Sequence, residues 1–571
     1  MILDTGISRR LYLELDPPTE EDNRPYDERI LCALREEKSI SDGFCAFSLP
    51  ALRKLYPLLD RSGYKVTVSL AWDGSGWMIT DLEAGNTEAQ HFGIALDLGS
   101  TSVVADLVDC NTGKVVRQAS AYNGQIAFGE DILTRIFYAK DNPDRLEEIR
   151  QATVKSINEL IVRLEQEADA APASILSMVV AGNTTMIHFL LGLDAFCVFQ
   201  APYSVRTLNP GFLRARDLGF PLSGYVYCVP GKANYLGGDI LSGMIDTGFY
   251  KEDEISLFFD VGTNGELVVG NKSFLLCGAG AAGPALEGGV VQTGMRAAKG
   301  AVQGVKLEQG FFSLDVLLDD AGRSREVTFP SDSSGNVLSG SSGNMSSESS
   351  DHMPSDSWNH MADPDADPDG LPRVRGICGS GIVDLIAQLF LNGWVDIRGR
   401  FSPEKSPLIS MQYNKGLDHE ELAVEYAKGL WFYQSDLDEF VRTKAAAYTM
   451  IEYMLTEIGI GLDQVHRFYM AGAFGTHVNK ESAVTIGMYP DVERDRIVSA
   501  GNSSLKGAVK ILLNKDFIAD LNEILDLMSY VQYGAVDNFL TIMEAATALP
   551  HTDLDRYPSV VAKLKANKVL K

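Results

Sequence analysis

The sequence contains too few basic residues to form a broad positive surface. Its 571 residues include 50 Lys and Arg against 77 Asp and Glu, which gives a formal net charge of −27. A field of this sign repels nucleic acid and anionic membrane surfaces, so we expect neither as a partner. The opening residues include Asp4 and no apolar core, and no later stretch runs 18 residues without polar groups or glycine. We therefore predict a cytoplasmic protein without a membrane anchor.

Cysteines are also few, and their spacing suits neither a zinc site nor a disulfide framework. There are seven, and no two of them form a C-x-x-C motif. We expect free thiols in a reducing compartment, buried as small hydrophobic side chains. The seven cysteines are Cys32, Cys45, Cys110, Cys197, Cys228, Cys277 and Cys378.

One segment departs from the composition of a folded protein. The whole chain is 22% charged and 45% hydrophobic, as in globular proteins, and its length predicts two to four domains. Residues 330–372 are instead rich in Ser, Gly, Asn, Pro and Asp, with eight acidic residues and no Lys or Arg. Such a segment buries too little apolar surface to offset its ordering entropy, so we predict a disordered surface loop that interrupts a domain. An acidic recognition segment is the alternative interpretation.

The remaining sequence divides near residue 91. Before that point, polar, helical and alternating stretches indicate a small α+β linker module. After it, strands, glycine turns and long helices alternate, which is typical of a larger α/β body. The predicted segments are the module at 1–90, the body at 91–560 with halves of about 91–255 and 256–560, and a C-terminal tail at 561–571.

Two helices can be placed from their start signals and their apolar periodicity. Asn142 followed by Pro143 predicts the N-cap and first position of one helix. Ser435 followed by Asp438 resembles a capping box at the start of another. The apolar positions that we expect to face inward on the second helix are Leu437, Val441, Tyr448, Ile451 and Leu455.

Two similar turns carry the chemistry. In each, an apolar strand ends in an aspartate, a glycine-rich turn follows and a second strand begins. Backbone N–H groups of such a turn can point at phosphate oxygens while the aspartate holds a hydrated Mg²⁺ beside them. A single turn of this kind is most simply a structural hairpin, but a pair suits duplicated halves that face a shared cleft. The candidate residues are Asp97, Gly99, Ser100 and Thr101 in the first turn and Asp260, Gly262, Thr263, Asn264 and Gly265 in the second.

A third glycine-rich element follows towards the C-terminus. It is a turn small enough for a purine and a ribose to lie against its backbone. Its residues, after a strand that ends at Ala471, are Gly472, Ala473, Phe474 and Gly475. Together the three elements resemble the phosphate and adenosine motifs of the superfamily of actin-like proteins, sugar kinases and chaperone ATPases. The resemblance implies a duplicated actin-like α/β fold that binds ATP and Mg²⁺. In such a fold, Asp97 and Asp260 would contact the metal ion through bound water molecules.

Longer motifs resemble one family within that superfamily, the reductive activators of corrinoid proteins. They are AGNTTM, YLGGDILSGM, GAGAAGPALEGG, GICGSG and ALPHTDLDRYPSV between residues 92 and about 560, and GISRRLYLELDPPTEEDN in the linker module. The resemblance implies an ATPase that helps an electron reach the inactive Co(II) corrinoid of a methyltransferase partner, which gives methyl-accepting Co(I). It leaves open whether the chain forms a homodimer.

The cysteine pattern departs from that family. Such activators commonly carry an iron–sulfur domain, which needs four cysteines in a plant-type C-x₄-C-x₂-C…C or bacterial spacing. Here Cys32 and Cys45 stand 13 apart, and the next cysteine is Cys110. We therefore expect ATP and Mg²⁺ but no iron–sulfur cluster. Either a separate low-potential donor delivers the electron, or the chain has diverged to another task.

Several residues have two interpretations. Asp239, after two glycines, is either a catalytic or metal-orienting carboxylate, acting as a general base or positioning water, or the N-cap of a helix. Glu287 either contacts Mg²⁺ or ribose, or is a first-turn glutamate stabilised by the helix dipole. Asn183 and Thr184 either contact phosphate or bond to their own backbone in a turn.

Other reactive side chains favour a structural explanation. Cys378 and Ser380 in GICGSG have no histidine nearby in the sequence, and small residues between glycines more often permit close packing than nucleophilic catalysis. His188 and His477 each stand alone, and two unpaired histidines do not make a metal site.

Two other functions remain compatible with these motifs. One is a small-molecule kinase of the same superfamily, in which Asp239 deprotonates a hydroxyl group. The other is a non-catalytic protein that binds a nucleotide tightly and hydrolyses it too slowly to matter.

Overall fold

The computed structural model describes residues 5–36, 38, 40, 44–171, 174–262, 264–280, 291–319, 322–330, 373–531 and 539–570. These residues form two compact units. The first comprises residues 1–260, 266–279 and 500–532, and the second comprises residues 261–265, 280–499 and 533–571. Helices and strands are mixed throughout, so the α/β prediction is confirmed. No described helix is both long and apolar enough to cross a membrane.

The first unit begins with a small α+β module. Its elements are β1 (Ser8–Glu14), α1 (Tyr26–Glu36), β2 (Phe44–Phe47), α2 (Leu49–Ser62), β3 (Lys65–Trp72) and β4 (Gly76–Ala84). The sheet order is β1-β3-β4-β2, with β1 antiparallel to β3 and β2 parallel to β4. Alternate apolar residues of these strands and the inner faces of both helices share one core, which includes Leu13, Ile30, Leu59 and Val68.

The chain then builds a six-stranded sheet. Its elements are β5 (Phe92–Leu98), β6 (Ser102–Asp109), β7 (Lys114–Tyr122), α3 (Ile132–Ala139), α4 (Pro143–Ala168), β8 (Ile175–Gly182), α5 (Thr184–Leu191), α6 (Phe196–Phe199), β9 (Gly211–Arg214), α7 (Ala215–Leu218), β10 (Tyr225–Cys228) and α8 (Gly238–Thr247). The strand order is β7-β6-β5-β8-β10-β9, and β5, β8 and β10 run parallel. Parallel strands bring their carboxyl ends to one edge, which places the end of β5 beside the end of β8.

The same pattern of strand, turn and strand then recurs. The new elements are β11 (Ser256–Val261), β12 (Gly265–Asn271) and β13 (Phe274–Gly280). Like β5, β11 carries an aspartate next to its last residue. A strand from the C-terminal region, Met528–Tyr530, lies parallel to β13 in this unit.

The second unit contains the following elements: β14 (Ala301–Glu308), β15 (Phe311–Leu317), β16 (Ser324–Phe329), β17 (Gly376–Ile377), α9 (Gly379–Leu391), β18 (Ile409–Asn414), β19 (His419–Ala427), β20 (Leu430–Tyr433), α10 (Gln434–Glu457), β21 (Phe468–Ala471), α11 (Gly472–His477) and α12 (Lys480–Thr485). One sheet has the order β16-β15-β14-β17 and another the order β18-β19-β20. The predicted loop at 330–372 lies outside the described residues except for Pro330.

The last elements are shared between the units: β22 (Ile497–Gly501), α13 (Ser503–Leu513), α14 (Phe517–Leu527), β23 (Met528–Tyr530), α15 (Phe539–Ala546) and α16 (Pro558–Ala566). Helix α13 belongs to the first unit, and its C-terminal end meets the N-terminal module. The amide of Ile7 donates to the carbonyl of Leu512 at 3.2 Å, and Thr5 Oγ1 donates to the carbonyl of Leu513 at 2.9 Å.

Of the two predicted helix starts, one is confirmed and one is wrong. Helix α4 begins at Pro143, and Asn142 Oδ1 accepts the amide of Arg145 at 3.2 Å as its N-cap. Helix α10 begins before Ser435, because Asp436 accepts the amide of Tyr433 at 2.9 Å and so satisfies the first turn. The inward positions predicted for α10 are confirmed as buried.

Candidate functional site

Three aspartates from separate elements of the first unit, which we call the carboxylate trio, share one electrostatic environment. Asp97 lies near the end of β5, Asp239 in the first turn of α8 and Asp260 near the end of β11. Burial raises the pKa of Asp239 to about 7, and repulsion from Asp97 adds to the rise. Burial also raises the pKa of Asp260 to about 8, together with repulsion from Asp239 and Asp97. Simultaneous ionisation of all three is therefore unfavourable without a nearby cation.

Asp97 is held by two side chains from the start of α13. Asn502 Nδ2 donates to Asp97 Oδ2 at 2.8 Å, and Ser504 Oγ donates to Asp97 Oδ1 at 2.9 Å. Burial raises the pKa of Asp97, whereas these two hydrogen bonds lower it. Burial is the larger of these opposing effects, and the donors to both carboxylate oxygens partly offset it while fixing the orientation of the Asp97 carboxyl group within the trio.

Sequence reasoning missed Asn502 and Ser504, although a signal was present. The sequence Ala500-Gly501-Asn502-Ser503-Ser504 repeats the pattern of AGNTT at 181–185. In both places a strand ends in glycine and an asparagine caps the helix that follows, with Asn502 Oδ1 accepting the amide of Leu505 at 2.8 Å. Comparing the two AGN motifs would have identified the second helix start as part of the site.

Close helix packing brings Asp239 to this place. A Cβ atom at Gly237 would lie 2.4 Å from Asn183 Cα, and one at Gly238 would lie 2.4 Å from the carbonyl oxygen of Val229. Helix α8 also crosses α13 so closely that a Cβ atom at Gly507 would lie 1.8 Å from the carbonyl oxygen of Ser242. The two glycines before Asp239 therefore allow the start of α8 to reach the carboxyl end of β8.

The suggestion that Asp239 is a helix N-cap is wrong. Gly237 is the N-cap of α8, and Asp239 is the second residue of the helix. Its Oδ1 accepts the amide of the next residue, Ile240, at 2.9 Å. The carboxyl group thus stays in the first turn, within electrostatic reach of Asp97 and Asp260.

The first predicted phosphate turn lies between β5 and β6. Gly99, Ser100 and Thr101 are all half-buried. A Cβ atom at Gly99 would lie 2.6 Å from the carbonyl oxygen of Ser102, so the turn requires glycine there. Phosphate binding by these three residues remains a prediction.

Asn183 makes a local bond of the kind that the structural interpretation predicts, whereas Thr184 bonds to a distant segment. Asn183 caps α5, with its Oδ1 accepting the amide of Met186 at 2.9 Å. Thr184 Oγ1 donates to the carbonyl of Ala233 at 2.7 Å. Contact of either residue with phosphate remains a prediction.

The second turn and the adenosine element belong to the second unit. The amide of Gly262 donates to the carbonyl of Asn264 at 3.0 Å, and β12 starts at Gly265. Thr263 and Glu287 lie outside the described residues. The strand that ends at Ala471 leads directly into helix α11, whereas the sequence predicted a turn there.

Glycines permit that abrupt change. Gly472 has a φ of +81°, and a Cβ atom at Gly475 would lie 2.1 Å from the carbonyl oxygen of Met470. The predicted adenosine site at Gly472, Ala473, Phe474 and Gly475 therefore lies in the first turn of a short helix, and its role remains a prediction.

The carboxylate trio suits a hydrated magnesium ion. Within the described ranges, no group of three or more His, Cys, Asp or Glu side chains is arranged to hold a metal ion directly. Mg²⁺ prefers carboxylate and water oxygens and retains several waters, so it needs only one or two protein carboxylates beside it. Asp97 and Asp260 have the right chemistry for such indirect contact.

The cysteines and isolated histidines have structural surroundings. All seven cysteines are free thiols, as predicted, but the expectation that all are buried is wrong, because Cys32, Cys45 and Cys197 are partly exposed. Ser380 Oγ donates to the carbonyl of Gln303 at 2.9 Å, beside the buried Cys378, which agrees with close packing. His188 is buried and accepts the amide of Arg206 at 3.1 Å, whereas His477 is exposed. None of these groups contributes to the carboxylate trio.

Three family descriptions match consecutive parts of the chain. Residues 5–89 match the RACo linker region and residues 92–252 the RACo middle region. Residues 254–561 match the C-terminal domain of RACo, described as the ASKHA domain. These ranges together include every described residue of the carboxylate trio and of its hydrogen-bond partners.

Individual proteins show the same similarity. The corrinoid activation enzyme RamQ of Eubacterium limosum is 28% identical over 542 residues, which cover 90% of this chain and 82% of that protein. The [Co(II) methylated amine-specific corrinoid protein] reductase of Methanosarcina barkeri is 23% identical over 444 residues, or 76% and 72% of the two chains. The solved structure of a reductive activator for corrinoid, iron–sulfur protein is 32% identical, covers 97% of this chain and 81% of its own, and has a TM-score of 0.79.

Proposed function

The chain belongs to the RACo family, and from this membership we propose that it is an ATP-dependent reductive activator of a corrinoid protein. Its C-terminal match is the ASKHA domain, an actin-like ATPase fold. Its relatives are named for corrinoid activation and for reduction of a Co(II) corrinoid protein. The activity we assign is assistance to the Co(II) to Co(I) step that prepares the corrinoid for methyl transfer.

The carboxylate trio is the observation that carries the ATPase part of this proposal. Asp97, oriented by hydrogen bonds from Asn502 and Ser504, and Asp260 would hold hydrated Mg²⁺ beside the nucleotide phosphates. Asp239, whose pKa is raised to about 7, would orient the attacking water and accept its proton. Bound Mg·ATP supplies the favourable free energy of binding and hydrolysis.

That free energy has a specific use. Reduction of Co(II) to Co(I) requires a lower potential than ordinary electron donors reach. A nucleotide can change this balance only by binding one conformation of the activator more tightly than another. We propose that the conformation favoured by ATP is the one that binds the corrinoid protein in a form that accepts an electron.

The electron would come from a separate low-potential donor. Cluster ligation requires four suitably spaced cysteines, and the seven in this chain do not provide them.

An anaerobic assay tests the proposal. The corrinoid protein spectrum would be followed in the presence of activator, ATP and a low-potential reductant, with each omitted in turn. We expect Co(I) to accumulate only when all are present. The Asp239→Asn variant should lose this activity, whereas Asp106→Asn should retain it, because Asp106 is a buried aspartate that bonds to Gln118 outside the trio.

Two results would overturn the proposal. One is corrinoid reduction that proceeds at the same rate without ATP. The other is ADP release that depends on a sugar or carboxylic acid and not on the corrinoid protein, which would indicate a kinase.

A further inference from the structure

Arg135 on α3 is a fully buried guanidinium group with no role in the chemistry above. It donates hydrogen bonds mainly to backbone carbonyl oxygens of the surrounding turns. Nη1 donates to the carbonyl of Ser100 at 2.6 Å, and Nε donates to the carbonyl of Gly129 at 2.8 Å. Longer bonds of 3.3 Å reach the carbonyl of Glu130 and the side-chain oxygen of Gln125. A charged group is costly to bury, so its position needs an explanation beyond packing.

Asn123 holds the same turn from the same interior. It is also fully buried. Its Nδ2 donates to the carbonyl of Gly99 at 2.9 Å, and its backbone amide donates to the carbonyl of Thr101 at 2.9 Å. Arg135 and Asn123, which we call the turn clamp, thus bind the carbonyl oxygens of three successive residues.

Because these carbonyl oxygens are held by hydrogen bonds, the directions of the neighbouring backbone N–H groups are fixed as well. In a planar trans peptide, the carbonyl of one residue and the N–H of the next point in opposite directions. Because the carbonyls of Gly99 and Ser100 face the turn clamp, the N–H groups of Ser100 and Thr101 point away from it. Successive N–H groups aimed to one side form an anion-binding concavity.

We propose that Arg135 is a positioning residue for nucleotide phosphates, acting through the backbone of the turn at 99–101. This inference rests on the proposed function, because it presumes that the turn binds phosphate. Arg135 does not touch the nucleotide. It fixes the carbonyl of Ser100, and its charge lies behind a turn that would face an anion, where low polarity strengthens the attraction.

Nucleotide binding measured by titration calorimetry tests the role of Arg135. We expect Arg135→Met to weaken binding of ATP and ADP about tenfold or more, as loss of a charge-assisted bond does, and to leave adenosine binding unchanged. In steady-state assays the KM for ATP should rise by a larger factor than kcat falls. Arg135→Lys keeps the charge but cannot reach as many carbonyls, so it should recover part of the affinity.

The control is Arg145→Met. Arg145 is exposed, lies 4.9 Å from the ring of Tyr138 and contacts no residue of the turn in any described bond. It should bind ATP like the unmodified chain. If Arg135→Met does not fold, Asn123→Leu decides the question by the same measurements, because leucine has a similar size and no amide to donate.

The possible outcomes are distinct. Folded clamp variants that bind ATP as tightly as the unmodified chain would overturn the positioning role, and so would an equal loss of adenosine binding. If the unmodified chain binds no ATP, the proposed function fails together with this inference. If the unmodified chain binds ATP and the clamp variants bind it equally tightly, the proposed function stands and this inference alone is rejected.

Discussion

Two adjacent serines at the start of α13 differ in what their hydroxyl groups contact. Ser504 Oγ donates to Asp97, whereas Ser503 Oγ is buried and has no hydrogen-bond partner within the described ranges. We expect Ser504→Ala to raise the pKa of Asp97 and reduce Mg²⁺-dependent ATPase activity by about tenfold, as loss of a bond to a charged group does. Ser503→Ala should stay within about twofold, because it removes no hydrogen bond. Equal ATPase rates in the two variants would contradict the anchoring role of Ser504.

The raised pKa values of the carboxylate trio also predict how stability depends on pH. Asp239 and Asp260 hold their protons up to pH values of about 7 and 8 in the folded chain, but lose them near pH 4 when unfolded. The folded state therefore binds more protons in that interval, and the free energy of unfolding falls as pH rises through it.

Melting curves in EDTA at pH 6 and pH 8 test this sign. The unmodified chain should lose several degrees of Tm between the two values, and Mg²⁺ should restore part of the loss at pH 8. Asp260→Asn cannot ionise at this position, so its Tm should fall less over the same range. A Tm difference between variant and unmodified chain that is the same at both pH values would refute the assignment.

At the residue scale, the sequence indicates the aspartates of the carboxylate trio but not the residues whose hydrogen bonds hold the trio and the adjacent turn. Asp97 and Asp260 were identified because each has a characteristic glycine turn directly after it. Asn502 and Arg135 were not, since the bonds of Asn502 to Asp97 and of Arg135 to Ser100 exist only after distant segments have packed. Asn502 lies 405 residues from the aspartate that it holds.

Among the elements, the start of α10 depends on Asp436. Its Oδ2 accepts the amide of Tyr433 at 2.9 Å, and its Oδ1 accepts the amide of Gln292 at 3.2 Å. Asp436→Ala leaves both amides without this acceptor and should cost about 1 to 2 kcal/mol, the range of lost helix caps. Asp438→Ala removes an ion pair with the half-exposed Arg400 and a hydrogen bond from the side chain of Gln434 but leaves the first-turn amides capped, so it should cost less than about 1 kcal/mol.

Chemical denaturation at pH 7.5 measures both costs. Burial raises the pKa of Asp436 to about 6, so the carboxylate is mostly ionised at that pH. Equal losses in the two variants would support the capping box predicted from Ser435 and Asp438.

The contrast between α4 and α10 shows where element prediction works. Asn142 and Pro143 specify the start of α4 through the conformation of their own backbone, which needs no distant partner. For α10, several polar residues in a row could serve as cap. Tertiary contacts determine which of them caps the helix. Ser435 Oγ donates to Glu421 at 2.7 Å and Asp438 pairs with Arg400, which leaves Asp436 as the cap.

For the whole molecule, the source of electrons gives the sharpest prediction. The purified chain should contain no stoichiometric iron and show no visible absorption from a cluster, since its cysteine spacing cannot ligate one. Metal analysis and an anaerobic absorption spectrum measure both. Stoichiometric iron with acid-labile sulfide would show that the chain carries its own redox centre, and the requirement for a separate donor would then be withdrawn.

Helix α13 meets the carboxylate trio at one end and the N-terminal module at the other. At the first end, Asn502 and Ser504 donate hydrogen bonds to Asp97. At the other end, about 16 Å away for an 11-residue helix, the carbonyls of Leu512 and Leu513 accept hydrogen bonds from Ile7 and Thr5. If nucleotide binding shifts this helix, thermodynamic reciprocity applies. A partner protein that binds the N-terminal module would then change the affinity of the chain for ATP. ATP would change the affinity of the chain for that partner by the same factor. Through α13, binding of a partner at the N-terminal module would thus change nucleotide affinity at the carboxylate trio.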